Sequence, residues 1–280
     1  MKTLTVQGLC KNYPAFALND VSFSLEKGKI TGFIGRNGAG KTTTLKSLFD
    51  FVHPDSGNIR FFDLDFKEHE FEIKQRVGFV SGGVDFYPNK KLRTITAVTK
   101  SFYPQWDDCA YRKYLALFKL DESKTPAQLS AGMKVKYALA LALSHHAELL
   151  ILDEPTSGLD PVSRDELLDI FMDLCAEGVT ILFSTHITSD LDKCADQIIY
   201  IKNGRIIAQN ELSAFVAGYR IYAVPKETFR PEMAEHAFGV ARSKNGFSVL
   251  MKADEPFAIP AEQQEVNLEE IMVHIEKTNL

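Results

Sequence analysis

The spacing of apolar positions changes several times along the chain. Leu4 to Leu9 and Val21 to Leu25 read as strands, the second alternating Val21, Phe23 and Leu25 with polar neighbours, and Lys27-Gly28 turns the chain into a third strand, Lys29 to Ile34. A glycine-rich loop follows at once. From Thr42 the spacing becomes helical, with Leu45, Leu48 and Phe49 on one face until His53-Pro54-Asp55-Ser56-Gly57 stops it. Leu149 to Leu152 is a continuous apolar run ending in Asp153-Glu154-Pro155, the mark of a strand buried on both faces of a parallel sheet. Asp160-Pro161 opens a helix that runs through Leu167, Leu168, Phe171 and Leu174 to Gly178. Val179 to Ser184 is a further buried strand, closing at Thr185-His186, and Ile198 to Ala208 folds back around Asn203-Gly204. Strand, helix and strand repeated in this way predict a right-handed parallel α/β sheet whose ligands sit at the carboxyl ends of its strands.

Two stretches depart from that rhythm. Between about Asp85 and Gln128 aromatics crowd into Phe102, Tyr103 and Trp106, and an amphipathic helix from Asp107 to Leu120 carries the stripe Tyr111, Tyr114, Leu115 and Phe118. Leu129 to Lys134 leads into a helix from Val135 to Leu143, and His145-His146 end it, where a cation is favourable. This is a helical insertion. Beyond about Glu211 come a short strand, a helix near Pro231 to Phe238, a hairpin turning at Asn245-Gly246 and a final helix. That last helix has Asn267 with Glu270 as a capping box and Leu268, Ile271, Met272 and Ile275 as its buried face. The expected organisation is one large domain over residues 1–212, with a helical subdomain over about 85–145, and a small α+β extension over 213–280.

Composition narrows the function classes. With 32 Lys+Arg against 37 Asp+Glu in 280 residues, the net charge of -5 offers no broad positive field for nucleic acid or an anionic membrane, so no direct nucleic-acid partner is expected. The longest apolar run, Ala138 to Leu143, falls far short of the ~18 residues of a membrane span. The start, Met1 to Val6, reads straight into a strand and lacks an export signal. Cys10, Cys109, Cys175 and Cys194 form no CxxC pair, which suits reduced, buried thiols in cytosol better than bridges or zinc.

The chemistry begins at Gly35-Arg36-Asn37-Gly38-Ala39-Gly40-Lys41-Thr42, which fits G-x-x-x-x-G-K-[ST] without a gap. Glycines let several backbone N–H groups converge on one phosphate, and the following helix adds its positive end. Lys41 brings a point charge to the β and γ phosphates, and the Thr42 hydroxyl is a magnesium ligand. Asp153, ending a buried strand, can hold the metal's hydration shell, and Glu154 is placed to polarise an attacking water. The alternative for such an acidic pair is a solvated turn; the four apolar residues before it and Pro155 after it speak against that. Lys41 and Asp153 lie 112 residues apart, too far for a compact mononucleotide kinase. Leu129-Ser130-Ala131-Gly132-Met133-Lys134 puts a Ser and small residues at a helix start, a second anion nest. One nucleotide could meet both surfaces only if they came from two protomers facing head to tail.

At this point the sequence resembles the ATP-binding subunits of ABC transporters, over about residues 1–212. Gly35 to Thr43 looks like Walker A, Leu129 to Met133 the signature motif, Leu149 to Glu154 Walker B with its catalytic Glu, Gly158-Leu159-Asp160 the D-loop, His186 the switch histidine, and Tyr13 the aromatic that stacks on adenine. The fold class is then α/β: a P-loop NTPase core with mixed sheet, antiparallel β element, helical insertion and small α+β C-terminal extension. The resemblance implies ATP and Mg2+ bound by Tyr13, residues 35–43, Ser130, Ala131, Gly132 and Asp160, with Thr42 and Asp153 at the metal. It implies catalysis by Glu154, His186 and Lys41, and two ATP molecules clamped between two nucleotide-binding domains whose closure drives a polytopic permease. The chain would be cytoplasmic, held at the membrane through that partner.

The motifs depart from the family in two places. Ala131 and Met133 replace a Gly and the Gln of LSGGQ, and Gly82 stands where the Q-loop has its Gln, with Asp85 as a substitute. Phe86, Tyr87, Phe102, Tyr103 and Trp106 suit either a docking surface for a partner's cytoplasmic helix or packing within the insertion. Three functions stay open. The first is the ATPase subunit of a membrane exporter, to which the Phe102-Tyr103-Pro104 and Trp106-Asp107 stretch and the short C-terminal tail add a resemblance to bacterial subunits of the ABC-2 export type. The others are a soluble ABC ATPase acting on ribosomes or DNA, and a nucleotide-sensing module without turnover.

Overall fold

A computed structural model describes residues 2–81 and 87–277. They form two compact units, dividing between Gln209 and Asn210. The first is built on a six-stranded sheet in the order Arg205–Glu211, Gln197–Lys202, Ile30–Ile34, Thr180–Thr185, Leu149–Asp153, Val77–Ser81. The last five are mutually parallel. The edge strand returns through Asn203 and Gly204, whose φ values of 48° and 73° are those of a tight two-residue hairpin turn, so the sheet is mixed as expected. Every residue of Leu149–Asp153 is buried, because a central parallel strand is covered on both faces.

A second, antiparallel sheet runs in the order Phe16–Glu26, Lys2–Tyr13, Ser56–Phe61, Leu64–Asp65. Its first two strands exceed the apolar alternation at both ends, since a hairpin ladder is held by backbone hydrogen bonds and its polar ends can face water. Leu4, Val6, Leu9 and Leu18 from this sheet share a core with Phe33, Leu149 and Ile151 of the other. Rings of Phe49, Phe61, Phe66 and Phe79 fill the space around the short helix Lys41–Ser47. Strand Ser56–Phe61 escaped the pattern because only Ile59 and Phe61 are buried in it.

The insertion is helical, with Leu92–Lys100, Asp108–Leu117 and Ala131–Ser144. Asp107 caps the second helix by accepting from the N–H groups of Cys109 and Ala110. Tyr111, Leu115 and Phe118 of the expected stripe are buried, and Tyr114 is partly so. The Thr96 hydroxyl lies 2.7 Å from that of Tyr111 and 2.8 Å from that of Tyr137, whose hydroxyl also donates to the Leu92 carbonyl at 3.1 Å. Burial pushes the Tyr137 phenol up to about 12, so the network stays neutral.

His145 corrects an expectation. It does not present a cation to the end of its helix: its ring is 4% exposed, stacks on Tyr103 at 3.8 Å and places Nδ1 3.0 Å from the Gln75 carbonyl. Burial lowers its pKa to about 4. The stack forms because Tyr103 returns to the helix end from an earlier loop. His146 remains exposed, 3.8 Å from Asp107.

The second unit holds an antiparallel sheet in the order Gly239–Ser243, Gly246–Lys252, Tyr219–Pro225, Glu262–Gln264. Asn267 Oδ1 accepts the Glu270 N–H at 2.9 Å at the start of helix Leu268–Lys277, half of the expected capping box. His274 joins Leu268, Ile271 and Ile275 on the buried face, where Met272 is only partly covered.

His145 makes stability depend on acid. The unfolded chain takes up a proton near the free imidazole value of about 6.5 while the folded ring stays neutral to about 4, so its share of stability is complete above 6.5 and declines below. Between pH 7.5 and 5 the loss should be about 2 kcal/mol. Urea unfolding at several pH values should show His145→Phe lacking that component; equal slopes for the two proteins would refute the assignment.

Candidate functional site

Strand Ile30–Ile34 delivers the glycine loop to the carboxyl end of the central sheet. At Gly35 a Cβ would meet the Ile201 carbonyl oxygen at 2.3 Å, so only glycine lets the loop leave so close to the neighbouring strand. Gly40, at φ 111°, occupies the N-cap position of helix Lys41–Ser47, so no side chain caps the helix. Its first amides and positive dipole end are left to a ligand. Lys41 is 5% exposed and crosses the loop, donating to the Gly35 carbonyl at 2.8 Å and lying 3.2 Å from a carboxylate oxygen of Glu154.

The acidic pair is held from two sides. Asp153 Oδ1 accepts from the Thr42 hydroxyl at 3.1 Å and from the Ser184 hydroxyl at 2.7 Å. Ser184 Oγ in turn accepts the Glu154 N–H at 2.9 Å. Glu154 adopts φ 50°, a left-handed conformation that a non-glycine residue takes only when its surroundings impose it. That turn sets its carboxylate between Lys41 and His186, whose Nδ1 is 2.9 Å away. Sequence reasoning missed Ser184. The available signal was a hydroxyl residue closing an apolar run, in register with Asp153 on the adjacent strand.

These groups surround a cavity of about 470 Å³, within the range of small-ligand sites. Arg36, Asn37, Gly38, Gly40, Lys41, Thr42, Thr43, Glu154 and His186 all line it. A buried ammonium, an uncapped helix start and a glycine loop can take a polyphosphate. A carboxylate paired with an imidazole can orient a water and accept its proton.

The remaining expected residues fall elsewhere. Gly35 lies behind the loop, and Ala39 is buried with its carbonyl accepting the Gly204 N–H at 3.0 Å. Asp153 sits behind Thr42. Tyr13 stands exposed at a hairpin end opposite Phe16, and it is Phe16 that lines the cavity. Ser130, Ala131, Gly132 and Asp160 do not line it. Ser130 caps the helix by accepting from Met133 N–H at 3.2 Å, so the helix starts at Ala131 rather than Val135. Gly132 packs beside Leu159, and Asp160 caps the helix Pro161–Ala176 through Val162 and Ser163. Bonds from the Ser163 side chain and amide hold the Asp160 carboxyl below the usual range. Gly82, Asp85 and Phe86 lie outside the described residues.

Comparison with known proteins decides the family. The model of the family described as "ABC transporter" matches residues 18–157, which include the glycine loop, the Ala131–Ser144 helix and the acidic pair. The chain belongs to the ABC transporter family. It is similar to the ABC transporter ATP-binding protein YtrB of Bacillus subtilis, with 32% identity over 68% of this chain and 65% of the relative. It is similar also to the bacitracin transport ATP-binding protein BcrA of Bacillus licheniformis, with 34% identity over 69% of this chain and 64% of the relative. The matches thus span just under two thirds of those relatives. A solved structure described as an ATP-binding subunit of an ABC transporter superposes with a TM-score of 0.68 at 29% identity, covering 76% of this chain and 91% of that one. The α/β nucleotide-binding fold expected from the motifs is therefore the fold of the family. Among the described residues no helix is long and apolar enough to cross a membrane, and no three His, Cys, Asp or Glu side chains form a metal-holding group.

Ser184→Ala removes a donor to Asp153 and an acceptor for Glu154 N–H at a buried position. Unfolding free energy should fall by about 1–3 kcal/mol in urea titration, and an unchanged midpoint would show that the hydroxyl does not hold the pair.

Proposed function

We propose that the chain binds ATP with Mg2+ in this cavity, hydrolyses it, and serves as the motor subunit of a membrane exporter. The observation that carries the reading is Glu154, poised at the cavity between Lys41 at 3.2 Å and His186 at 2.9 Å. A γ phosphate entering the glycine loop competes with Glu154 for the Lys41 ammonium. The released carboxylate then serves as general base for a water, with His186 holding that water and the phosphate in place. Phe16, with Tyr13 beside it in the hairpin, offers an aromatic surface for adenine.

The Thr42 hydroxyl and the Asp153 carboxylate are hard oxygen donors 3.1 Å apart, a pair that fits magnesium together with waters and phosphate oxygens. When bound, the ion neutralises charge building on the phosphates. Asp153 also fixes the rotamer of Thr42, and Ser184 fixes Asp153.

Ser130, Gly132 and Asp160 belong to the family's motifs yet do not line the cavity of their own chain. A second nucleotide-binding domain facing head to tail would bring them to it, so closure on ATP and separation after hydrolysis form the working cycle. The relative named for bacitracin transport supports a role in transport, and similarity to a Nod factor export ATP-binding protein of Burkholderia lata, 34% identical over 79% of this chain and 76% of that relative, supports an export direction; a motor without a membrane span of its own calls for a permease partner. That partner would hold the chain at the cytoplasmic face of the membrane. Phe102 is 66% exposed and Tyr87 63%, suited to a permease's cytoplasmic segment, whereas Tyr103 and Trp106 are spent on packing against His145 and Tyr111.

Two variants test the site. Glu154→Gln should keep ATP binding, slow hydrolysis by about 10² to 10⁴ and trap a dimer in gel filtration; unchanged turnover would remove Glu154 from the role. Lys41→Ala should weaken MgATP binding by calorimetry, and wild-type affinity in that variant would discard the phosphate assignment. Co-purification with a polytopic membrane protein in detergent supports the motor reading, and co-purification with ribosomes or nucleic acid overturns it.

A further inference from the structure

The loop from Ser157 to Asp160 is held at both flanks by one buried carboxylate. On its near side the Thr156 hydroxyl donates to Asp190 Oδ2 at 2.6 Å. On its far side Arg164 brings Nε within 3.3 Å of Asp190 Oδ1. Thr156 and Asp190 are each 1% exposed. Asp190 sits in the helix Thr188–Cys194, four positions after His186. The Thr185 hydroxyl accepts the Ile187 N–H at 2.9 Å and the Asp190 N–H donates to the Ile187 carbonyl at 3.2 Å, so both neighbours of His186 are drawn into the same arrangement. The helix itself is anchored: Leu191 is fully buried, and a Cβ added at Gly32 would meet its Cδ2 at 2.0 Å.

We propose that Asp190 is a positioning residue that makes the Ser157–Asp160 loop and His186 move as one unit, so that displacing the loop changes where His186 stands relative to Glu154. A buried carboxylate on one segment, hydrogen-bonded to a second and ion-paired with a third, is a stiff link, because breaking either contact leaves charge or a hydroxyl unpaired out of water. The linked segments are the one after Glu154, the helix after the loop, and the one that carries His186. Asp190 reaches none of the cavity-lining positions itself, and it acts through His186. The inference rests on the hydrolytic reading of Glu154 and His186.

The test is a double-mutant cycle on the full chain, with kcat and KM for MgATP measured for Asp190→Asn, His186→Ala and the pair. Asp190→Asn should lower kcat about tenfold with KM changed less than about twofold. In the His186→Ala background it should cost less than about twofold more, since the residue it positions is gone. Equal losses in the two backgrounds would overturn the proposal. Thr156→Val should reproduce the kcat loss and Thr156→Ser should restore it, a comparison that decides the matter if Asp190→Asn does not fold. Full kcat in Thr156→Val overturns it as well. Unchanged turnover in His186→Ala refutes the hydrolytic reading and this proposal together, whereas slow His186→Ala with an additive Asp190 effect refutes the proposal alone.

Discussion

One carboxylate oxygen, Asp153 Oδ1, accepts hydroxyls from two different parts of the fold, and the site is arranged around it. The residue is 6% exposed at the end of a fully buried strand. A charge there is tolerable only if donors replace water, and Thr42 and Ser184 do so. The parallel register makes the meeting unavoidable: Asp153 lies opposite Ser184 on one neighbour and Ser81 on the other. Through Thr42 the same oxygen ties the first turn of the Lys41–Ser47 helix to the sheet, which sets how the glycine loop opens.

The segment that follows Asp153 is secured by the next strand and helix along the sheet rather than by its own. Ser184 takes the backbone of Glu154, and Asp190 takes Thr156 and Arg164. Glu154 is thereby kept in a left-handed turn that an isolated chain would relax, at a cost of order 1–3 kcal/mol. Strain of this size persists because the flanking bonds are buried and made by rigid elements. A carboxylate pinned in this way faces Lys41 and His186 without needing to search rotamers.

Away from the site, the insertion shows a different use of polar groups. Thr96, Tyr111 and Tyr137 bury three hydroxyls against one another and the Leu92 carbonyl, giving the helices a specific register that apolar packing alone does not supply. His145 contributes in neutral form, as a flat surface for Tyr103.

The glycine loop, the buried strand with its acidic pair and the strand–helix–strand rhythm were legible from residue order, because each is a local property: glycines a fixed few positions apart, an apolar run without a break, a capping Asp before a Pro. Family membership followed from those motifs. Residues separated in sequence were not legible. Ser184 looked like a strand end until register placed it beside Asp153, and His145 looked like a cationic helix terminus until Tyr103 covered it. Phe16 lines the cavity opposite Tyr13, a neighbour that exists only once the two strands of that hairpin have paired. Spacing along the chain therefore determined which chemistry this protein carries, since a motif's backbone is short enough to dictate its own geometry. Tertiary packing alone decided which partners hold each group in place, because those partners meet only after strands have aligned and water has been expelled between them.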